Sequence, residues 1–352
     1  MSNNSQNQFN PWLFRFAGLT AVVTFLLIGL GGLVTSHEAG MSVPDWPNTY
    51  GYNMFTFPIS KWVGGIFYEH THRLLATAVG LLTTILAVWL WVKESRQWMK
   101  WLGIAAFLGV IAQGILGGLR VTLHMDSLGV FHATIAQMFL ILICGIALFT
   151  SRFWKDLTAD KKTFFVSRGL RTLVLVTTLL IFVQLIIAAT MRHQHAGLAI
   201  TDFPLAYGKV WPATDPESVA GYNARRISVV NEATITAFQI NLQMAHRALA
   251  LVISVLIATC AWLALQRLGT KDTLTKLALG WFALIVVQVA LGAWTIWSNK
   301  AADVATLHVM VGALSLVTGA LWCFIGFGRS ASLPESQTLG VFGVQTAMMA
   351  NK

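Results

Sequence analysis

Charged residues are scarce in this sequence, at 11% of 352 residues against 56% hydrophobic. Soluble domains carry roughly 25% charged residues. Such a composition cannot cover a water-facing surface, so lipid must be the solvent for most of the chain, as the mean hydropathy of +0.66 also indicates. Cysteine is equally scarce. Cys144, Cys260 and Cys323 each lie inside an apolar run, with no CxxC and no pair in a loop, and all three read as small buried hydrophobes. The first ten residues, MSNNSQNQFN, contain no Lys or Arg. They match neither a cleavable secretory signal nor an Arg-rich transit peptide, which favours a bacterial plasma (inner) membrane over an organelle. No motif points to a nucleotide, a nucleic acid or a soluble cofactor. The net charge of +10 sits in short loops between apolar runs, where it reads as a topology signal.

Crossing the hydrocarbon takes about 20 apolar residues per helix. Eight stretches qualify: 12–34, 67–92, 98–121, 128–149, 169–191, 235–265, 277–297 and 304–327. The sixth is long enough to tilt or to project beyond the bilayer. Of the 24 Lys and Arg residues, 15 fall on the side holding the termini and the even-to-odd loops, 7 fall on the other side, and Arg73 and Arg247 lie within helices. The positive-inside rule then puts both termini in the cytoplasm. Helices two, four, six and eight start at the outer face and run inward.

The chain also resembles itself. The run Ala39-Gly40 through Asp45-Trp46-Pro47 to Tyr50-Gly51 returns as Ala196-Gly197 through Asp202-Phe203-Pro204 to Tyr207-Gly208, an offset of 197 − 40 = 157. His72-Arg73 returns as His246-Arg247, Gln113 with Gly117 as Gln288 with Gly292, and His132 as His308, at offsets of 174 to 176. The jump is a longer outer loop at 209–232. We expect an all-α polytopic membrane protein of eight transmembrane helices, built as two parallel-repeat four-helix bundles. The halves are 1–155 and 165–330, and 331–352 forms a polar tail.

His72, His132, His246 and His308 all fall in the first turns of helices entering from the outer face. At 1.5 Å per residue they lie less than about 15 Å below that surface. Two facing imidazoles in an apolar bundle are a common way to hold haem iron from both sides. A lone intramembrane His is often interhelical hydrogen-bond glue, but four at one depth, duplicated with the repeat, weigh against that. Zinc or copper would need a third ligand recurring in both halves, and no Cys, Asp or Glu does so. His37, His70, His124, His193 and His195 have no matched equivalents, and most read as polar residues of the outer loops. Arg73 and Arg247 carry two open readings: partners for haem propionates or cations snorkelling to headgroups. Gln113 and Gln288 read as interhelical glue, and Trp62, Trp98, Trp154, Trp211 and Trp297 as interface belts.

The halves differ at one telling place. Glu69 precedes His72 by three residues, where Gln243 precedes His246; the i,i+3 spacing puts each pair on one helix face. A carboxylate at membrane depth is costly and marks a functional site by default; the alternative is an idle Glu in the headgroup zone. The asymmetry suggests chemistry in the first half and a redox haem in the second.

These residues resemble the haem A synthase family over nearly the whole span from helix one to helix eight. The motifs are Gly31-Gly32, Asp45-Trp46-Pro47, Glu69-His70-Thr71-His72-Arg73, Gln113-Gly114-Ile115-Leu116-Gly117, His132, Asp202-Phe203-Pro204, His246-Arg247, Gln288-Val289-Ala290-Leu291-Gly292 and His308. The resemblance implies oxidation of the C8 methyl of haem O to a formyl group, giving haem A for terminal oxidases. It implies haem b on His246 and His308, with Arg247 nearby. The substrate haem would then sit on His72 and His132, with Arg73 nearby and Glu69 at its reacting edge. An iron with two His ligands has no open site for O₂. Either one His leaves during turnover, or the methyl loses electrons and water attacks, with Glu69 as base or cation stabiliser. The expected partners are a haem O synthase, terminal oxidase assembly proteins, and quinol or another electron donor. The sequence departs from part of the family where a cysteine pair would flank the Trp-Pro loop. Ser42 and Thr49 stand there, and Ala199 and Ala206 in the second half, so no thiol relay is available. Thr35-Ser36 replaces the commoner Thr-Arg, and Val309 follows His308 where Gln is frequent. The rival readings are a non-catalytic di-haem b electron carrier and a haem-delivery transporter.

Overall fold

The computed structural model describes residues 9–125, 127–159, 166–225 and 234–331. The polar tail and the first eight residues lie outside these. Among the described residues the protein is all-helical, with ten α-helices. Eight are long and apolar enough to cross a membrane: α1 (Pro11–Ser36), α2 (Gly64–Lys93), α3 (Gln97–Thr122), α4 (Ser127–Thr150), α6 (Arg168–His193), α8 (Ala237–Leu268), α9 (Thr273–Trp297) and α10 (Ala302–Ala331). Each contains one of the eight sequence-defined stretches almost entire, and most run a few residues further at both ends. Hydropathy sees only the hydrocarbon-facing part, whereas backbone hydrogen bonding carries the helix on into the interface.

Local chemistry sets several ends. Asn10 accepts from the N–H groups of Trp12 and Leu13, with Pro11 at the first helical position of α1. Thr236 and Gln239 form a reciprocal capping box on α8. Asp272 caps α9 at Leu274 and pairs with Arg329 of α10 at 2.7 Å, joining the ends of two helices. At the same end of the first half, Glu94 pairs with Arg96 at 2.7 Å, and Arg96 also donates to the Phe149 carbonyl. Burial opposes the Glu94 charge, but the Arg96 side chain and backbone hold its carboxyl below the usual value.

Helices α1 to α4 pack in a closed ring, α1 on α2, α2 on α3, α3 on α4 and α4 on α1. Helices α6, α8, α9 and α10 close a second ring in the same order. The rings meet along a seam of α1, α4, α6 and α10. There Gly32 lets Thr306 come close, Ser36 Oγ lies 3.3 Å from Thr306 Oγ1, and Arg192 donates to the Gly32 carbonyl and to Ser36.

Two short helices lie where loops were expected: α5 (Arg152–Ala159), which crosses the expected boundary at 155, and α7 (Pro216–Arg225) in the long outer loop. Helix α5 is amphipathic and carries a correction. Trp154, expected in an interface belt, is only 9% exposed and packs edge-on against Phe149 and over Gly328. Trp98, Trp211 and Trp297 are exposed as a belt requires. Cys260 and Cys323 are buried, and Cys144 partly so.

Candidate functional site

Each of the four histidines lies five to nine residues inside an even-numbered spanning element: His72 in α2, His132 in α4, His246 in α8 and His308 in α10. That is roughly 8–14 Å of helix from its first residue. Three rings lie against a glycine of the neighbouring helix. A Cβ at Gly31 would come within 3.1 Å of the His72 ring, at Gly117 within 3.4 Å of His132, and at Gly292 within 3.2 Å of His308. The glycines of the two Gln-x-x-x-Gly motifs therefore make room for imidazoles. The Nδ1 atoms of His72, His132 and His308 are buried and make no well-formed hydrogen bond, although the backbone of Gln113 and Gln288 lies within reach of the His132 and His308 rings. The amide of Gln113 donates to the His132 carbonyl at 3.3 Å, the interhelical glue expected of it.

The His246 and His308 rings face each other with centroids 6.4 Å apart and planes at 59°. Two imidazoles on one metal, each with a metal–nitrogen bond of about 2.0–2.1 Å and its ring centre about 1 Å beyond, have centroids roughly 6.3 Å apart. The pair therefore fits axial ligation of one iron. Among the described residues no group of three or more His, Cys, Asp or Glu side chains is placed to hold a metal ion. Two imidazoles alone suit a metal whose equatorial ligands come from a macrocycle.

Glu69 and Arg73 are buried, at 4% and 9% exposure, and form an ion pair at 2.8 Å. The other Glu69 oxygen accepts from the Val43 N–H at 3.2 Å. Arg73 donates to the carbonyls of Asp45, Asn48 and Val43 at 2.6, 2.9 and 2.7 Å. Snorkelling is thus excluded for Arg73, and a propionate could reach its terminal nitrogens only by displacing loop carbonyls. The second half repeats the scheme without a charge pair. Gln243 accepts from the Ile200 N–H at 2.6 Å, and Arg247 donates to the carbonyls of Leu205 and Asp202 at 2.9 and 2.8 Å. Both arginines thus tie down the loop that precedes them in the chain, at 43–48 and 202–205.

The loops fold alike. Asp45 takes the N–H groups of Tyr50 and Gly51, and Asp202 those of Tyr207 and Gly208. Tyr50 donates to the Ser42 carbonyl and Tyr207 to that of Ala199. Burial works against the Asp45 charge, but the N–H groups of Gly51 and Tyr50 and the Arg73 guanidinium hold its carboxyl below the ordinary value. Trp46 lies on Gly118 of α3, where an added Cβ would fall 2.5–2.9 Å from the indole. The matching positions are Phe203 and Ala293, a smaller ring with a larger neighbour. Gly118→Ala is therefore expected to lower stability by about 1–3 kcal/mol through overpacking, and Trp46→Phe to recover part of it. Thermal unfolding in detergent reads both.

Sequence reasoning gave one histidine no partner and missed one glutamine. His70, inside the second expected span but without an assigned task, is fully buried on α2; its Nδ1 lies 3.1 Å from Thr49 Oγ1, and Trp62 and Phe57 wall its ring. His37 stacks on Tyr68 at 4.1 Å. The missed residue is Gln184 of α6, 3.0 Å from His246 Nδ1. A lone amide inside LIFVQLII was visible, but no matched partner exists 157 residues earlier, where Leu27 stands, so the repeat did not flag it.

Curated relatives agree in name. A Heme A synthase from Lysinibacillus sphaericus is 26% identical over 325 residues, covering 90% of this chain and 95% of the relative. A Heme A synthase from Alkalihalophilus pseudofirmus is 24% identical, covering 87% and 94%. One from Halalkalibacterium halodurans is 29% identical, covering 56% and 65%. The family model described as cytochrome oxidase assembly protein, COX15-CtaA, matches residues 14–320. That match runs from the first turn of α1 into α10 and takes in all four histidines and both pinned loops: the chain belongs to the COX15-CtaA family of cytochrome oxidase assembly proteins.

Proposed function

We propose that this protein is a haem A synthase of the bacterial plasma membrane, oxidising the C8 methyl of haem O to a formyl group. The carrying observation is the pair His246 and His308 at ligating separation, in a chain whose relatives over nearly its full length are named Heme A synthase. In this reading His246 and His308 hold a haem b, and His72 and His132 bind the substrate haem. Both sites lie toward the outer face, with the chain termini in the cytoplasm. The bound haem b would supply a one-electron relay: methyl plus water becomes formyl with loss of four electrons and four protons, and the relay passes the electrons one at a time to an acceptor such as the quinone pool.

The remaining work falls to side chains of this chain. His72 and His132 orient the substrate from two helices. Glu69, three residues from His72 and ion-paired in a buried site, balances positive charge developing at the methyl carbon and accepts a proton from the oxygen that adds there. Arg73 and Arg247 serve the haems through the loops they pin, which close each bundle against water. A haem O synthase supplies the substrate, and terminal oxidase assembly receives the product.

The test is to express the chain with a source of haem O, extract the haems and separate them by liquid chromatography with mass spectrometry. Haem A should appear. Haem b alone, with haem O untouched, would instead favour a di-haem electron carrier.

A further inference from the structure

Gln184 lies midway along α6 and reaches across to α8. Its Nε2 is 3.0 Å from Nδ1 of His246 and 2.9 Å from the His246 carbonyl, while its Oε1 is buried with no partner. His132 and His308 have the backbone of Gln113 and Gln288 within reach of their rings, whereas the Nδ1 of His72 is buried with no partner. The matching place on α1, 157 residues earlier, is Leu27, and the His72 ring is backed there by Gly31.

Resting on the haem reading above, we propose that Gln184 is a positioning residue that fixes His246 as a permanent axial ligand, and that leucine at position 27 leaves His72 able to release its iron. An imidazole that ligates through Nε2 carries its proton on Nδ1, and an acceptor there fixes the ring and strengthens the ligand. The two ends of an amide interchange by a half turn about the Cγ–Cδ bond. As placed, Nε2 of Gln184 faces two acceptors and Oε1 faces nothing. Turned, Oε1 accepts from Nδ1–H of His246 and leaves the imidazole Nε2 free for iron; the turn gives up the bond to the His246 carbonyl, so it is iron on Nε2, which places the proton on Nδ1, that favours it. The difference between the halves has a use. A resident haem must stay, whereas a substrate haem must enter and leave, and an iron held by two fixed histidines has no open position.

The experiment uses the full chain with His72→Ala and His132→Ala, so that only the second-half haem reports. Gln184→Leu and Gln184→Glu are compared with Gln184 in that background. The readouts are the low-spin electron paramagnetic resonance signal, carbon monoxide binding to the reduced protein, and haem transfer to excess apomyoglobin. Gln184→Leu should speed haem transfer by roughly 10–100-fold and admit carbon monoxide. Gln184→Glu, a stronger acceptor, should keep the haem low-spin and inert to carbon monoxide. Transfer at the unsubstituted rate with no carbon monoxide binding in Gln184→Leu would overturn the role of Gln184 while leaving the haem reading intact. No haem at all in the background protein, with Gln184 present, would overturn the haem reading and this proposal with it.

Discussion

Replacing Arg73 by leucine should destabilise the protein by about 3–5 kcal/mol, the usual effect of removing one partner of a buried ion pair. The substitution deletes three hydrogen bonds to loop carbonyls and the charge opposite Glu69. It strands a carboxylate at 4% exposure and unpins the loop carrying Asp45 and Trp46. Arg247→Leu is the internal control. Arg247 also holds two loop carbonyls, but its neighbour Gln243 is neutral, so no charge is stranded, and the expected loss is about 1–3 kcal/mol. Thermal unfolding in detergent, with proteolysis of the first outer loop as a local readout, compares the two. Equal losses would mean that the Glu69–Arg73 pair adds nothing beyond loop anchoring.

Glu69→Gln should reduce haem A formation by about 10²–10⁴-fold, the range for losing a positioned acid or base, while the haem b spectrum stays as it was. The second half is the reason to expect an intact fold. There Gln243 already accepts a loop N–H, from Ile200 at 2.6 Å, beside an arginine bonded to loop carbonyls. The variant thus gives the first half the chemistry of the second and removes the charge with little change of shape. Product analysis after co-expression with a haem O source reads the loss directly. Undiminished haem A with both haems bound would reduce Glu69 to a loop anchor, the task its geometry already performs with Val43.

The same residues show which features were legible. Hydropathy is a property of a segment, and transfer into lipid favours any long apolar run whatever its neighbours, so the eight spans could be read and their ends missed only slightly. Depth was legible too, since position along a helix follows from residue count. That placed the four histidines near the starts of α2, α4, α8 and α10. The loop equivalences around Asp45 and Asp202 were visible as text, and the hydrogen bonds at both aspartates have the same pattern.

Partnership was not legible. Arg73 offered propionates and headgroups as plausible targets, yet its donors go to carbonyls 25–30 residues away and to Glu69. His70 had no assigned partner and is buried behind Trp62 and Phe57, while Trp154 looked like a belt residue and packs inside. Gln184 drew no notice, although its amide meets the Nδ1 of His246. The sequence by itself determined the solvent, the number of spans, the depth of the histidines and the Glu69–Gln243 asymmetry, because each depends on composition or on distance along one helix. Only the tertiary structure decided how each helix is turned about its axis and which polar atom meets which. In an apolar bundle a buried polar group gains most by finding a partner, and for Arg73, His70 and His246 that partner comes from a different helix or loop, far away along the chain.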